Sequence, residues 1–282
     1  MTTIHSTAII GERVRLGAGV SIGPGVIVAD DATIGERTDV GAHSYIGPYT
    51  EIGPDNRIGM SVHVGGDPQI TGWQPVASRC RIGAGNIIRE FVTIHRAKDA
   101  GGETRIGDRC TLMVAAHVAH DCRVGNEVVL ANGVLLAGHV EVGDNAFISG
   151  NCVVHQFVRI GRRVMVRGLT ALGKDVAPFT LVDETNTVRS LNAVGLQRSG
   201  LPRDSLRQLQ HAYREIFRGD RSVTEALSHL EREPQCPEVQ ELVAFIRAST
   251  RGVCLYAPPG ARRRSPLLAG HDGDDCDDAD VA

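Results

Sequence analysis

The chain has 282 residues, 42% of them hydrophobic but only 4% aromatic, and a formal net charge of −3. That balance excludes a general electrostatic pull toward nucleic acid, and a core so poor in rings must be filled by aliphatic side chains. The opening MTTIHSTAII has neither the basic flank nor the apolar run of a secretory leader, and no stretch approaches the roughly 18 apolar residues of a membrane span, so no span is expected.

From Ile4 an aliphatic residue recurs every sixth position up to Leu172. Of the 29 positions in this series only Ala100 is not Ile, Val or Leu. Gly follows many of them, as at Gly11, Gly17, Gly23, Gly35, Gly41, Gly47, Gly53, Gly59, Gly107, Gly125, Gly143 and Gly161. Period six fits neither an amphipathic helix nor an alternating strand. It fits a coil of short flat strands separated by bends, with one aliphatic residue per side pointing inward and Gly where φ turns positive. Three sides give about 18 residues per coil, and nine or so coils stacked at the sheet spacing make a prism roughly 45 Å long. Residues 1–178 are therefore read as a parallel β-helix. Two stretches, 65–80 (with Trp73, the only tryptophan) and 96–105, carry excess Gly, Pro or charge and are read as loops leaving the prism.

After Leu172 the period changes. Leu206, Leu209, Tyr213, Ile216 and Phe217 share a helical face. Ser222 with Glu225 forms a capping box for a second helix, and a third follows Pro237 with Val239, Leu242, Val243 and Ile246 on one face. Residues 179–256 thus form a connecting segment and an α-helical domain, expected to cap the open edge of the β-helix. Residues 257–282, with adjacent arginines and then an aspartate run, read as a disordered tail. The seven cysteines, Cys80, Cys110, Cys122, Cys152, Cys236, Cys254 and Cys276, are odd in number and form no CxxC pair. They read as reduced cytoplasmic thiols rather than disulfides or a cysteine zinc site.

Four histidines, His117, His120, His139 and His155, fall near one another when counted by coils of 18, and are expected to stack along one edge of the prism within about 10 Å. Such a column suits general base catalysis, with Asp121 fixing the tautomer of His120 or stabilising its imidazolium. It also suits zinc held by three neutral imidazoles with an open fourth position.

The strings TIHR (93–96), AHVAHDC (116–122), LAN (130–132), LAGH (136–139), VHQF (154–157), VMV (164–166) and STRG (249–252) make the chain resemble the UDP-N-acetylglucosamine 3-O-acyltransferases, which open lipid A biosynthesis in Gram-negative bacteria. The resemblance spans about residues 1–255. It implies a left-handed winding, a homotrimer with sites between subunits, and no metal or other cofactor. The 3-hydroxyacyl donor would be carried on the phosphopantetheine of acyl carrier protein, and the acceptor would be the sugar 3-hydroxyl. It further implies that His120 is the catalytic base, Asp121 its partner, and the Gly138 N–H the oxyanion donor. Gln69, His95, His117, His139, His155, Gln156, Asn192 and Arg198 would contact substrate, and Gly168 would set acyl length. Arg162, Arg163 and Arg167 are read as a basic patch for an acidic carrier protein. The chain departs from the family in the first loop, where Ile70 and Gly72 replace an Asp and a Lys. A paralogue acting on another nucleotide sugar or amino sugar is the alternative reading, and a non-catalytic scaffold a further one.

Overall fold

The computed structural model describes residues 1–257, so the expected disordered tail lies, but for its first residue, outside them. Among these residues the chain winds into a parallel β-helix with three sheet faces. The first face begins at Thr3–Ile4, the second at Ile9–Ile10 and the third at Arg15–Leu16. Register follows the coil: Ile4 lies beside Ile22, Ile22 beside Val40 and Val40 beside Ile58. The series residues form the axis of the core; Ile34, Ile46, Ile88, Leu112, Leu130, Leu136 and Ile148 are fully buried.

The six-residue count survives the two loops for a simple reason. Ile52 pairs with Ile82, 30 residues on, and Ile82 with Ile106, 24 residues on, instead of 18. Each insertion is a multiple of six, so Ile70, Val76 and Ala100 keep the count without joining the core; Ala100 is exposed. The loops are also shorter than expected. His63–Gly66, Arg79–Ile82 and Glu103–Ile106 are strands, leaving 67–78 and 96–102 outside the faces.

The expected role of the repeat glycines is corrected. None of the twelve has a positive φ. The left-handed position comes two residues later and is mostly held by other residue types, including Asp121 (φ 61°), His139 (59°) and Phe157 (63°). The glycines instead permit close stacking: a Cβ on Gly41 would lie 2.6 Å from the Gly59 carbonyl carbon, and one on Gly17 2.5 Å from the Glu36 nitrogen. A second inward position in each hexad takes small residues, such as Ala32, Thr38, Ser44, Asn56, Asn86 and Val128. There the Asn86 amide donates to Asn56 Oδ1 (2.9 Å), the Asn56 amide donates to the Gly53 carbonyl (2.7 Å), and Asn86 Oδ1 accepts the Cys110 N–H (2.7 Å), so the buried amides are satisfied. Cys80, Cys110, Cys122 and Cys152 occupy the same position as free thiols, and burial pushes Cys80 and Cys122 up to about 12.

Past Leu172 the final coil is closed by strands rather than helices. Thr180–Asp183 pairs with Met165–Val166, then with Thr187–Leu191, which pairs with Leu255–Tyr256. Among the described residues four helices follow the hairpin: α1 (Ala193–Arg198), α2 (Arg203–Arg218), α3 (Val223–Leu230) and α4 (Pro237–Arg247). The Ser222–Glu225 capping box starts α3. Leu209, Tyr213, Ile216 and Phe217 of α2 are buried, whereas the expected Leu206 is only partly so. α4 rests on the third face, where Arg159 lies over the Phe245 ring and Arg162 pairs with Glu241.

Candidate active site

Each coil turns a corner between the second and third faces, and the candidate residues collect there. His120 occupies the corner and Gly138 lies one coil on. His120 Nδ1 and Asp121 Oδ2 are 2.8 Å apart. A carboxylate oxygen accepts, so Nδ1 carries a proton, and in the neutral tautomer that this bond selects Nε2 is the nitrogen with the lone pair. Asp121 is held from three sides: its N–H donates to Thr104 Oγ1 (2.7 Å), its Oδ2 accepts the Lys98 N–H (3.1 Å), and His139 Nε2 lies 3.8 Å from that oxygen. Burial pushes the Asp121 carboxyl up, but the hydrogen bonds from His120 and the Lys98 N–H outweigh it and hold the carboxyl below its usual range.

Gly138 is the place where glycine is required by the site itself. A Cβ there would lie 2.6 Å from His120 Cε1 and 2.7 Å from Nε2. Its N–H lacks the bond that some of its equivalents make. At the same hexad position Glu12, Ala84, Asp108 and Asn126 donate their N–H to a side chain one coil on, Asp30, Asp108, Asn126 and Asp144 respectively. One coil after Gly138 stands Gln156, and among the described residues the Gly138 N–H has no acceptor. A donor is thus left available beside the His120 ring.

The four histidines do not form the single expected column. His117 lies on the second face beside Leu135. His139 takes the left-handed corner position and stacks on Phe157, with ring centroids 4.5 Å apart, and meets His120 edge-on at 5.2 Å. His155, just before the corner, meets the Arg251 guanidinium at 3.2 Å. Neighbours are separated by a whole coil, so an offset of one residue changes the direction in which a side chain leaves the corner.

A second imidazole set runs toward the N-terminal coils: Tyr45, His63, His95 and His117, with successive ring centroids 4.5, 6.4 and 5.2 Å apart. Desolvation, with the neighbouring imidazoles, lowers His63 and His95 and brings His117 down to about 4. These rings are neutral at neutral pH. His117 Nδ1 bonds Thr93 Oγ1 at 2.8 Å. His95 Nδ1 donates to the Asp67 carbonyl, which leaves its buried Nε2 as an acceptor without a protein partner.

The outer second face beyond His117 forms an apolar groove of about 530 Å³, lined by Leu135, Val153, His155, Ala171 and Asn186 among others. Gly168 lies on the other edge of this face, at the corner with the first face. Gln69 is exposed in the 67–78 loop. Asn192 and Arg198 are not brought to His120. Asn192 caps α1 through the Gly195 N–H and donates to the Arg163 carbonyl, at the corner between the third and first faces. The basic patch is also corrected: Arg162 pairs with Glu241 and Arg167 with Asp183, on different corners. His120, Asp121 and His139 each place one donor atom within 4.8 Å of the others. A cation there would have to break the His120–Asp121 hydrogen bond that orients the ring.

Sequence reasoning missed Arg96, Asp67 and Phe157. Arg96 is only 4% exposed and binds Asp67 at 2.7 Å. Its place directly after His95 in TIHR was the available signal; for Phe157 it was the one-coil spacing from His139.

Residues 13–48 and 103–138 match the bacterial transferase hexapeptide (six repeats) model, and residues 175–254 match UDP N-acetylglucosamine O-acyltransferase, domain 2. The acyl-[acyl-carrier-protein]–UDP-N-acetylglucosamine O-acyltransferase of Halorhodospira halophila is 42% identical over 256 residues, 90% of this chain and 99% of that relative. The one from Synechocystis is 45% identical over 188 residues, 66% of this chain and 68% of that relative. Among solved structures, the UDP-N-acetylglucosamine acyltransferase from Campylobacter jejuni superposes with a TM-score of 0.85 at 36% identity, covering 90% of this chain and 100% of that one. The enzyme from Francisella novicida gives 0.85 at 32%, covering 91% and 95%. With the hexad β-helix, the His–Asp corner and these relatives in hand, the chain belongs to the acyl-carrier-protein-dependent UDP-N-acetylglucosamine O-acyltransferase family of lipid A biosynthesis.

Proposed function

We propose that the chain moves a 3-hydroxyacyl group from acyl carrier protein to the 3-hydroxyl of UDP-N-acetylglucosamine. The observation that carries the mechanism is the His120 ring, bonded to Asp121 through Nδ1 and lying with Nε2 against Gly138. His120 Nε2 takes the proton of the sugar hydroxyl, and the alkoxide attacks the thioester carbonyl. The oxyanion of the tetrahedral intermediate accepts from the Gly138 N–H. Collapse breaks the C–S bond, and the imidazolium returns its proton to the departing pantetheine thiol. Asp121 stabilises that imidazolium and holds the ring.

His95, His117, His139, His155, Gln156 and Gln69 contact the substrates in this reading, His95 through its acceptor Nε2. The apolar groove takes the acyl chain, and Gly168, at the far corner of the same face, leaves room for length. A homotrimer is supported by exposed apolar side chains at Ile87, Phe91, Leu135, Val153, Phe157 and Leu169, which a second copy would cover. Arg198, exposed on α1, would reach the donor or nucleotide phosphates from such a copy. No cofactor is used beyond the phosphopantetheine of the donor, and the free thiols fit a cytoplasmic setting.

The test is transfer from 3-hydroxyacyl carrier proteins of several lengths to UDP-N-acetylglucosamine, with His120→Ala as the control. Loss of at least about 10²-fold in kcat with unchanged folding is expected, and transfer unaffected in His120→Ala would overturn the mechanism. Ile70 and Gly72 in the first loop favour one second reading, an amino-sugar acceptor. Activity only on that analogue would support it.

A further inference from the structure

The loop 67–78 is bound to the candidate catalytic pair by a chain of hydrogen bonds. The Trp73 indole Nε1–H donates to the Lys98 carbonyl at 2.8 Å. The N–H of the same residue donates to Asp121 Oδ2 at 3.1 Å, the oxygen that receives His120 Nδ1–H at 2.8 Å. Lys98 is therefore gripped at both polar groups of its backbone, one by the loop and one by the carboxylate.

The rest of the loop is built to keep Trp73 in place. The Arg96 guanidinium lies 5.1 Å from the Trp73 ring centroid. It binds the Asp67 carboxylate at 2.7 and 3.1 Å and the Val76 carbonyl at 3.1 Å, so one buried arginine ties both ends of the loop beneath the indole. The Gly101 N–H donates to Ala77 O, and the Arg79 N–H to Gly102 O, which knit the two loops to each other. Loops on a β-helix are free to vary; here the indole N–H of one connects it, through Lys98, to Asp121.

We infer that Trp73 is a positioning residue: through the Lys98 peptide it sets the orientation of Asp121, and so of the His120 ring. Movement of the 67–78 loop on acceptor binding is then transmitted to the base. The inference rests on the reading of His120 and Asp121 as the working pair.

The test is a double-mutant cycle on acyl transfer in the full chain, using Trp73→Phe and Asp121→Asn. Phe keeps a ring beneath Arg96 and removes only the donor. Trp73→Phe is expected to lower kcat about fivefold, the worth of one hydrogen bond, with KM for both substrates unchanged. In the Asp121→Asn background the same change should cost less than about twofold, because the route to the ring is already cut. An unchanged kcat, an equal loss in both backgrounds, or a loss confined to KM would overturn the inference. Circular dichroism melts of each variant separate these outcomes from misfolding. An inactive wild type would count against the functional reading itself, whereas an active wild type with an additive cycle counts against the Trp73 link alone.

Discussion

His120 and Gly138 work as a pair because one lacks a side chain where the other needs room. Gly138→Ala would push a methyl to 2.6 Å from His120 Cε1 and rotate the ring away from Asp121. The expected result is a drop in kcat of about 10²-fold from that displacement, with little change in the melting temperature, checked by steady-state kinetics and thermal unfolding. The neutral imidazoles make a second prediction. Burial depresses His117 to about 4 from the ordinary imidazole value of 6.5, so between those pH values the unfolded chain binds a proton that the folded chain refuses. Stability associated with His117 is present above pH 6.5 and falls as pH drops toward 4, and the lowered His63 and His95 act in the same direction. The urea midpoint should fall between pH 7 and pH 5, and His117→Gln should flatten that slope. A slope unchanged by the substitution would show that other groups control it.

At the scale of the coil, the repeat demands two different things of neighbouring positions. Where the residue after the aliphatic is Gly, as at Gly17 and Gly41, the next coil crosses within contact distance; the residue two further on takes a left-handed backbone. Gly41→Ala places a Cβ 2.6 Å from the Gly59 carbonyl carbon and should destabilise by about 1–3 kcal/mol. His43→Gly, at φ 58°, relieves a left-handed L-residue while adding chain entropy, and should be neutral within about 1 kcal/mol. Urea unfolding of both variants decides between this account and the expected positive φ at the repeat glycines, which would make Gly41 the left-handed residue. The helices show the same division. Ser222 and Glu225 announced α3 through a local capping box, while α1, capped by Asn192, was not anticipated. Asn192 is legible as a cap only once the hairpin before it is known.

For the molecule as a whole, the second face leaves an apolar groove open on a single chain. Placing a charge in it through Ala171→Asp should raise KM for the acyl donor more than about tenfold while leaving KM for the nucleotide sugar near wild type, since unpaired charge in an apolar groove is costly. Equal effects on both substrates would place the acyl chain elsewhere. The hexad pattern, the corner that carries His120 and Asp121, and three of the four helices were legible from the sequence, because each depends on spacing along the chain. Six-residue recurrence is a local property: it survived even loop insertions, which come in multiples of six. Spacing could not say which way each side chain leaves the corner, and so merged four histidines that the fold separates. Nor could it find the Arg96 clamp, the Trp73–Lys98–Asp121 connection, or the free N–H of Gly138. Those depend on which atoms the stacked coils bring within hydrogen-bonding distance, and only the closed three-dimensional path of the chain decides that.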